Sequence, residues 1–173
     1  KVVLQDGIKD CGICCLLSII RFYGGDVSKE YLREITNTTK EGVSFYDLIE
    51  AAKILGFEAI GVTGKLEDIN VNNLPCIVHF IVNKSYKHFI VLYQVDKKKR
   101  NVIIMDPAKG KRTLSAAEFR LLTSSNYLFL TPIKKLPKFE KRKKIYENIK
   151  IKDEQMLVTD YEEKTEGENN EVN

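Results

Sequence analysis

An apolar run without a charged residue or a proline occupies residues 12–20, close to the start of the chain. Its nine residues are far too few to cross a bilayer, because a membrane-spanning helix needs about 20. A helix that is apolar on every side has to be covered by the rest of its own domain. The run therefore predicts the central helix of a globular core, with the other elements packed around it.

Cys11 stands directly before this run, at the expected N-terminus of the helix. Unpaired backbone N–H groups and the helix macrodipole favour the thiolate there, and the thiolate is the nucleophilic form of cysteine. Gln5, six residues upstream, offers an uncharged amide donor for the same place. Cysteines in apolar segments more often serve only as core packing, which is the role we predict for Cys14, Cys15 and Cys76. Cys11 is then the candidate nucleophile.

Two other kinds of cysteine site share part of this pattern. Cys11 and Cys14 have the C-x-x-C spacing of dithiol oxidoreductases, although such a site follows a βαβ unit and only ten residues precede Cys11. A structural zinc site needs a second ligand pair at a suitable spacing, which the sequence does not offer. We therefore expect no metal and no cofactor, and we keep dithiol chemistry, which would require Cys14, as an alternative.

The 173 residues are enough for one domain with a real core, and their charges are unevenly distributed. We assign residues 1–133 to the domain and residues 134–173, first basic and then acidic, to a charged linker or tail that is expected to be partly disordered. The modest positive excess of residues 1–133 gives no case for a nucleic-acid partner. The sequence shows no signal peptide and no membrane-spanning stretch, and its cysteine spacing favours a reducing compartment.

Helix signals come first along the chain and strand signals follow. Serines at positions 28, 44 and 115 are expected N-caps of three further helices, and a glycine at position 56 is the expected end of the second of them. The predicted strands are 57–62, 76–82, 88–95, 101–106 and 127–131, with a loop at 108–111. Helices followed by an antiparallel meander are typical of an α+β domain.

The general base for Cys11 has to be one of the two histidines in the sequence. His79 lies inside an apolar strand pattern, for which we predict a buried, hydrogen-bonded structural role, whereas His88 begins its strand after a polar turn. If residues 96–100 link two antiparallel strands, paired positions sum to about 196 and Asp106 is a diagonal neighbour of His88. An Asp-Pro pair is equally typical of a simple turn. With that register, Cys11, His88 and Asp106 form a plausible triad of nucleophile, base and orienting carboxylate.

Taken together, these residues resemble the family C39 peptidases, the papain-like cysteine protease domains at the N-terminus of bacteriocin-processing ABC transporters. The resemblance extends over about residues 3–133. It implies a papain-like α+β fold with N-terminal helices packed on an antiparallel sheet. It also implies Cys11 as nucleophile, His88 as base, Asp106 as orienting residue and Gln5 as oxyanion-hole donor. The motifs that carry it are Gln5, Asp10-Cys11-Gly12, Phe22-Tyr23-Gly24, His88-Phe89 and Asp106-Pro107-Ala108-x-Gly110.

The resemblance further implies a cysteine endopeptidase that removes leaders ending in Gly-Gly or Gly-Ala from secreted peptide precursors. Cleavage would take place on the cytoplasmic side of a bacterial membrane, before export. Its partners would be the precursor, bound as an amphipathic helix in an apolar groove, and the membrane and nucleotide-binding domains of an ABC transporter. Phe45, Tyr46 and Ile49 are candidates for that groove, although core packing is expected for at least two of them. A non-catalytic leader-binding module of an exporter is the alternative.

Overall fold

A computed structural model describes residues 1–83 and 86–138 of the chain. Within these ranges the helices are α1 (Cys11–Phe22), α2 (Lys29–Ile35), α3 (Phe45–Leu55) and α4 (Ala116–Leu122). The strands are β1 (Phe57–Thr63), β2 (Cys76–Val82), β3 (Tyr86–Asp96), β4 (Asn101–Asp106), β5 (Gly110–Ser115) and β6 (Thr123–Pro132). Short 3₁₀ turns stand at Ile8–Asp10, Leu66–Asp68 and Val71–Asn73.

Helix α1 is the centre of the core, as its sequence predicts. Residues 11–20 are buried without exception, because α2, α3 and the middle of the sheet pack around the helix. The core on this side of the sheet includes Leu16, Leu48 and Ile77, none of which is exposed. Within the described residues no helix is long and apolar enough to span a membrane.

The predicted ends of the other helices are confirmed. Ser28, Ser44 and Ser115 each accept a hydrogen bond from the backbone N–H three residues later. At α3 the side chain of Asp47 completes a reciprocal capping box with Ser44. Gly56 ends α3 with φ of 102°, a left-handed conformation in which glycine carries no steric penalty.

The described strands form one six-stranded antiparallel sheet in the order β1-β6-β2-β3-β4-β5. This order corrects two predictions. The sheet is not a simple meander, because the last strand inserts between β1 and β2. The loop expected at 108–111 is instead a tight turn into β5. The sequence does not reveal this strand because it is mostly polar: of its six residues only Gly110 and Leu114 are buried. The α+β class with helices packed on an antiparallel sheet is confirmed.

The predicted register of β3 against β4 holds for the part of the hairpin next to the site. Val91 pairs with Met105 and Leu92 with Ile104, so these partners sum to 196. Nearer the connecting turn a bulge at Tyr93 shifts the pairing by one residue. The bulge leaves the site end of the two strands in the register that brings position 106 close to position 88.

The compact unit that contains these elements runs from Lys1 to Pro137. Leu136 is buried, and the Asp26 N–H donates a hydrogen bond of 2.8 Å to the Pro137 carbonyl. The unit thus extends four residues past the expected boundary at 133. The second unit is Lys138–Asn173. The predicted disorder of the charged tail falls mostly on residues 139–173, which lie outside the described residues.

Candidate active site

His88 and Asp106 meet where the β3–β4 register predicts. The Nε2 atom of His88 lies 2.9 Å from Oδ1 of Asp106, and both side chains are buried. The carboxylate is held from two further directions. Its Oδ1 accepts the Ala108 N–H at 2.9 Å, and Nη1 of Arg112 lies 3.5 Å from Oδ2. The turn after β4 therefore fixes the carboxylate, and the carboxylate in turn fixes the imidazole.

The electrostatics of this pair favour a positively charged imidazole. Burial by itself lowers the pKa of His88, but the hydrogen bond to Asp106 and the nearby Cys11 thiol outweigh burial and raise the pKa to about 9. For Asp106, burial alone would raise the pKa, and the hydrogen bonds from His88 and the Ala108 N–H hold it below its usual value. An imidazolium is the kind of neighbour that stabilises a cysteine thiolate.

Cys11 is the first residue of α1 and is 8% exposed. Because Asp106 takes Nε2 of His88, the ring nitrogen on the side of the thiol is Nδ1. The positive end of the α1 macrodipole lies beside the sulfur. The structure thus brings together the three side chains that the sequence predicts for one site, with His88 between Cys11 and Asp106.

Gln5 lies in the N-terminal arm, between α1 and the turn after β4. Its backbone N–H donates to the Pro107 carbonyl at 2.9 Å, and the preceding Leu4 carbonyl lies 3.6 Å from Sγ of Cys14. The side-chain Oε1 of Gln5 is buried and has no hydrogen-bond partner in the part of the chain that the structure describes. A buried amide oxygen without a partner costs free energy, so a ligand that donates a hydrogen bond would satisfy it.

The other three cysteines are core residues, as predicted. Burial raises the pKa of Cys14 to about 12, and it raises the pKa values of Cys15 and Cys76 as well. All four cysteines carry free thiols. In the described ranges no group of His, Cys, Asp and Glu side chains is arranged to hold a metal ion.

Asp10, directly before the nucleophile, is neutralised by Arg33 of α2. The guanidinium grips the carboxylate with two hydrogen bonds, 3.1 Å from Nε to Oδ1 and 2.8 Å from Nη2 to Oδ2. The hydrogen bond from Arg33 lowers the pKa of Asp10, and only 7% of the residue is exposed. No sequence pattern indicates this pair, since its members lie 23 positions apart in unrelated elements.

A cleft of about 640 Å³ opens beside Cys11, between the start of α1, the segment 40–45 and strands β1 to β3. Its walls are partly apolar, with Phe45 and Phe89 6.0 Å apart between ring centroids. Phe45 and Ile49 pack against the core, as expected for two of the groove candidates, while Tyr46 is 69% exposed. Because Cys11 lines this cleft, a peptide bound in it could reach the thiol from solvent.

His79 belongs to this cleft, which the sequence did not predict. Its expected hydrogen bond exists, since Nδ1 lies 2.8 Å from Oγ of Ser124. The ring is only half-buried, however, and it lines the cleft together with Cys11. Ser124 is 45 positions away in sequence, so no local pattern could have revealed this arrangement.

Comparison with known proteins gives one consistent result. The model of the Peptidase C39 family matches residues 1–135. The lactococcin-G-processing and transport ATP-binding protein LagD of Lactococcus lactis subsp. lactis is 34% identical over 137 residues, 76% of this chain and 19% of that protein. The pediocin PA-1 transport/processing protein PedD of Pediococcus acidilactici is 32% identical, over 64% of this chain and 16% of its own length. The chain spans less than a fifth of these relatives.

Solved structures agree with this assignment. The peptidase domain of Streptococcus ComA, a bifunctional ABC transporter, superposes with a TM-score of 0.69 at 32% identity, covering 76% of this chain and 98% of that one. A double glycine motif protease from an AMS/PCAT transporter, solved with its leader peptide, gives 0.66 at 25% identity, covering 76% and 91%. With the family model matched over most of its length and this fold, the chain belongs to the Peptidase C39 family.

Proposed function

We propose that this domain is a cysteine endopeptidase that removes a double-glycine-type leader from a secreted peptide precursor. The observation that carries the proposal is the buried contact of His88 with Asp106, which keeps the imidazole charged beside Cys11 at the edge of an open cleft. The leader as substrate is supported by the relatives, two of which are named for processing lactococcin G and pediocin PA-1. A further relative is a double glycine motif protease solved with a leader peptide.

The residues divide the chemistry among them as follows. The Cys11 thiolate attacks the carbonyl carbon of the last leader residue, and the resulting oxyanion is held by the Cys11 backbone N–H and the Gln5 side chain. His88 then gives its proton to the leaving amine, which frees the mature peptide and leaves a thioester on Cys11. A water molecule loses a proton to the now neutral His88 and attacks the thioester. The leader departs as an acid and the thiolate–imidazolium pair is restored.

The setting that we propose is a peptide exporter at the cytoplasmic face of a membrane. The curated relatives described above are transport and processing ATP-binding proteins, of which this chain matches less than a fifth. The membrane and nucleotide-binding domains of such a transporter, on the same chain or on another, are therefore the proposed partners. The cargo peptide would reach the cleft before transport.

Replacing the nucleophile tests the proposal directly. Cys11→Ala should abolish cleavage of a fluorogenic leader peptide ending in Gly-Gly and leave the affinity for that peptide nearly unchanged. Cys14→Ala is the matched control, three residues along the same helix, and should keep most of the activity because its thiol only packs. Equal losses in both variants would favour the dithiol mechanism. A parent chain that binds the peptide and does not cleave it would be a leader-binding module.

A further inference from the structure

A bulge in β6 lies opposite His79 and brings the Ser124 hydroxyl against its ring. On either side of it, Val78 pairs with Tyr127 and Phe80 with Thr123, so residues 124–126 of β6 stand opposite His79 alone. Ser125 at the middle of the bulge has φ of 64°, a left-handed conformation that is strained for a residue other than glycine. Bulges often re-aim side chains next to active sites, and here the Ser124 side chain reaches the histidine.

A chain of hydrogen bonds leads from Thr63 of β1 through the side chains of the bulge to His79. Oγ1 of Thr63 donates to Oδ1 of Asn126 at 2.8 Å, and Nδ2 of Asn126 donates to Oγ of Ser124 at 3.2 Å. The Ser124 hydroxyl then has its own hydrogen to give, and Nδ1 of His79 lies 2.8 Å away to accept it. A neutral imidazole that accepts at Nδ1 carries its proton on Nε2.

The remaining nitrogen of His79 is left for a ligand. No hydrogen bond in the described part of the chain uses Nε2, and the ring lines the same cleft as Cys11. Burial, followed by the nearby charge of Lys87, lowers the pKa of His79, so the ring is neutral around pH 7. A neutral N–H donor suits a neutral acceptor, and the acceptor that a peptide offers at every position is its main-chain carbonyl.

We propose that His79 is a substrate-binding residue, whose Nε2–H donates a hydrogen bond to a main-chain carbonyl of the peptide in the cleft. The chain from Thr63 through Asn126 and Ser124 orients the ring for this bond. The inference rests on the proposed function, because it takes a peptide as the occupant of the cleft. This bond would hold the peptide main chain whatever its side chains are. His79 would thus bind substrate without taking part in the reaction.

Imidazole nitrogen NMR of the 173-residue chain tests the inference without any cleavage. The sequence contains two histidines, so the signals are assigned with a single His79 variant. In the Cys11→Ala protein we expect His79 as the neutral Nε2–H tautomer, and we expect its Nε2–H resonance to move on saturation with a Gly-Gly leader peptide. A proton on Nδ1, or a His79 Nε2–H resonance that does not shift when the peptide is added, would overturn the inference.

Two substitutions separate a binding role from a structural one. His79→Gln places an amide N–H near the position of Nε2, and His79→Asn places its amide near Nδ1, where it keeps Ser124 but offers no donor to the cleft. In the Cys11→Ala background the Asn variant should bind the leader peptide about tenfold more weakly, the size of one neutral hydrogen bond. The Gln variant should stay within about twofold of the parent. Equal affinity for all three proteins, or no rescue by Gln, contradicts the inference.

Ser124→Ala keeps the test valid if a His79 variant fails to fold. It leaves the ring in place but removes the hydrogen bond that orients it. The affinity for the peptide should therefore fall about threefold, a fraction of one hydrogen bond; an unchanged affinity contradicts the inference.

Cleavage by the parent chain decides the proposed function separately. A parent that cleaves while the His79 variants bind normally overturns only the inference. A parent that binds and does not cleave, with the Asn variant weakened, overturns only the peptidase. Absence of any peptide binding overturns both.

Discussion

The proposed mechanism depends on a charged imidazole at His88. His88 is 4% exposed, and burial of this kind normally neutralises a histidine. The opposite happens here because Asp106 and Cys11 both stabilise the proton on the ring and so raise the pKa of His88. The carboxylate itself is supported by the Ala108 N–H and Arg112, so its charge is not lost on burial.

The pH dependence of the reaction should report this pair. A reactive state that needs protonated His88 persists while the pH stays below its pKa, so kcat/KM should hold up to about pH 9 and fall above it. Asp106→Asn removes the anion that raises this pKa, so the alkaline limb should move to lower pH. Asp96→Asn, at the end of β3, is the control and should leave the limb in place. An Asp106→Asn profile that superposes on the parent's would remove the carboxylate from the mechanism.

Gln5 makes a second prediction at the scale of one residue. Removal of one oxyanion-hole donor lowers kcat by about 10²–10³, and we expect this loss for Gln5→Ala with little change in leader affinity. Gln94→Ala, the same substitution on β3, should keep the parent's kcat. Single-turnover cleavage and a separate binding titration measure the two quantities. Parent-like cleavage by Gln5→Ala would show that the buried amide serves packing alone.

Among the elements, helix α2 contributes ionic contacts near the site as well as apolar packing. Arg33 makes two hydrogen bonds to the carboxylate of Asp10, the last residue of the Ile8–Asp10 turn. This contact fixes the backbone from which α1 begins. Lys29 of the same helix lies 2.9 Å from Asp6 and 2.7 Å from the Leu4 carbonyl, which ties down the arm that carries Gln5. The two cations of α2 therefore hold both sides of the proposed oxyanion hole.

The chain offers a matched pair of Arg–Asp contacts to test this. Arg33→Ala leaves the Asp10 carboxylate, 7% exposed, without its fork, and should lower the free energy of unfolding by about 1–3 kcal/mol. Arg21→Ala breaks the contact between Arg21 and Asp26, whose side chains are 41% and 40% exposed respectively. It should lower the free energy of unfolding by less than about 1 kcal/mol. Denaturant unfolding measures both. Equal effects would mean that the Arg33 contact is an ordinary surface pair.

At the scale of the whole domain, the residues after β6 close the core. Ile133 and Lys134 donate their N–H groups to the Gly56 carbonyl, which anchors the chain where α3 ends. Leu136 then packs against Gly25, where the Cβ of any other residue would stand 2.8 Å from the Leu136 Cβ. The domain as a folding unit therefore includes these residues, although their sequence begins the basic segment.

Two alanine substitutions locate the end of the domain. Leu136→Ala should lower the free energy of unfolding by about 2 kcal/mol or more, because the side chain is 8% exposed and its removal leaves a cavity. Ile133→Ala, three residues earlier, removes a side chain that is 62% exposed and should change stability by less than about 0.5 kcal/mol. A harmless Leu136→Ala would return the boundary to residue 133.

The sequence by itself determined the features that depend on neighbours along the chain. The uncharged run after Cys11 predicts a buried helix, which is confirmed, and the serine caps and Gly56 act on residues at most four positions away. One hairpin extended this reach, because antiparallel pairing across a short turn is a matter of counting residues from the turn. That count alone places Asp106 beside His88.

Only the tertiary structure decided which distant segments meet. Strand β6 inserts between β1 and β2, and no alternation of apolar residues tells a strand which neighbours it will have. The bulge opposite His79, the Arg33 fork on Asp10 and the position of Gln5 beside Pro107 all follow from such pairings. Their partners lie from 23 to more than 100 positions apart. Contacts between such distant residues depend on how whole faces of helices and sheets pack together. The local sequence cannot predict them, because its preferred conformation is the same whether or not the contact forms.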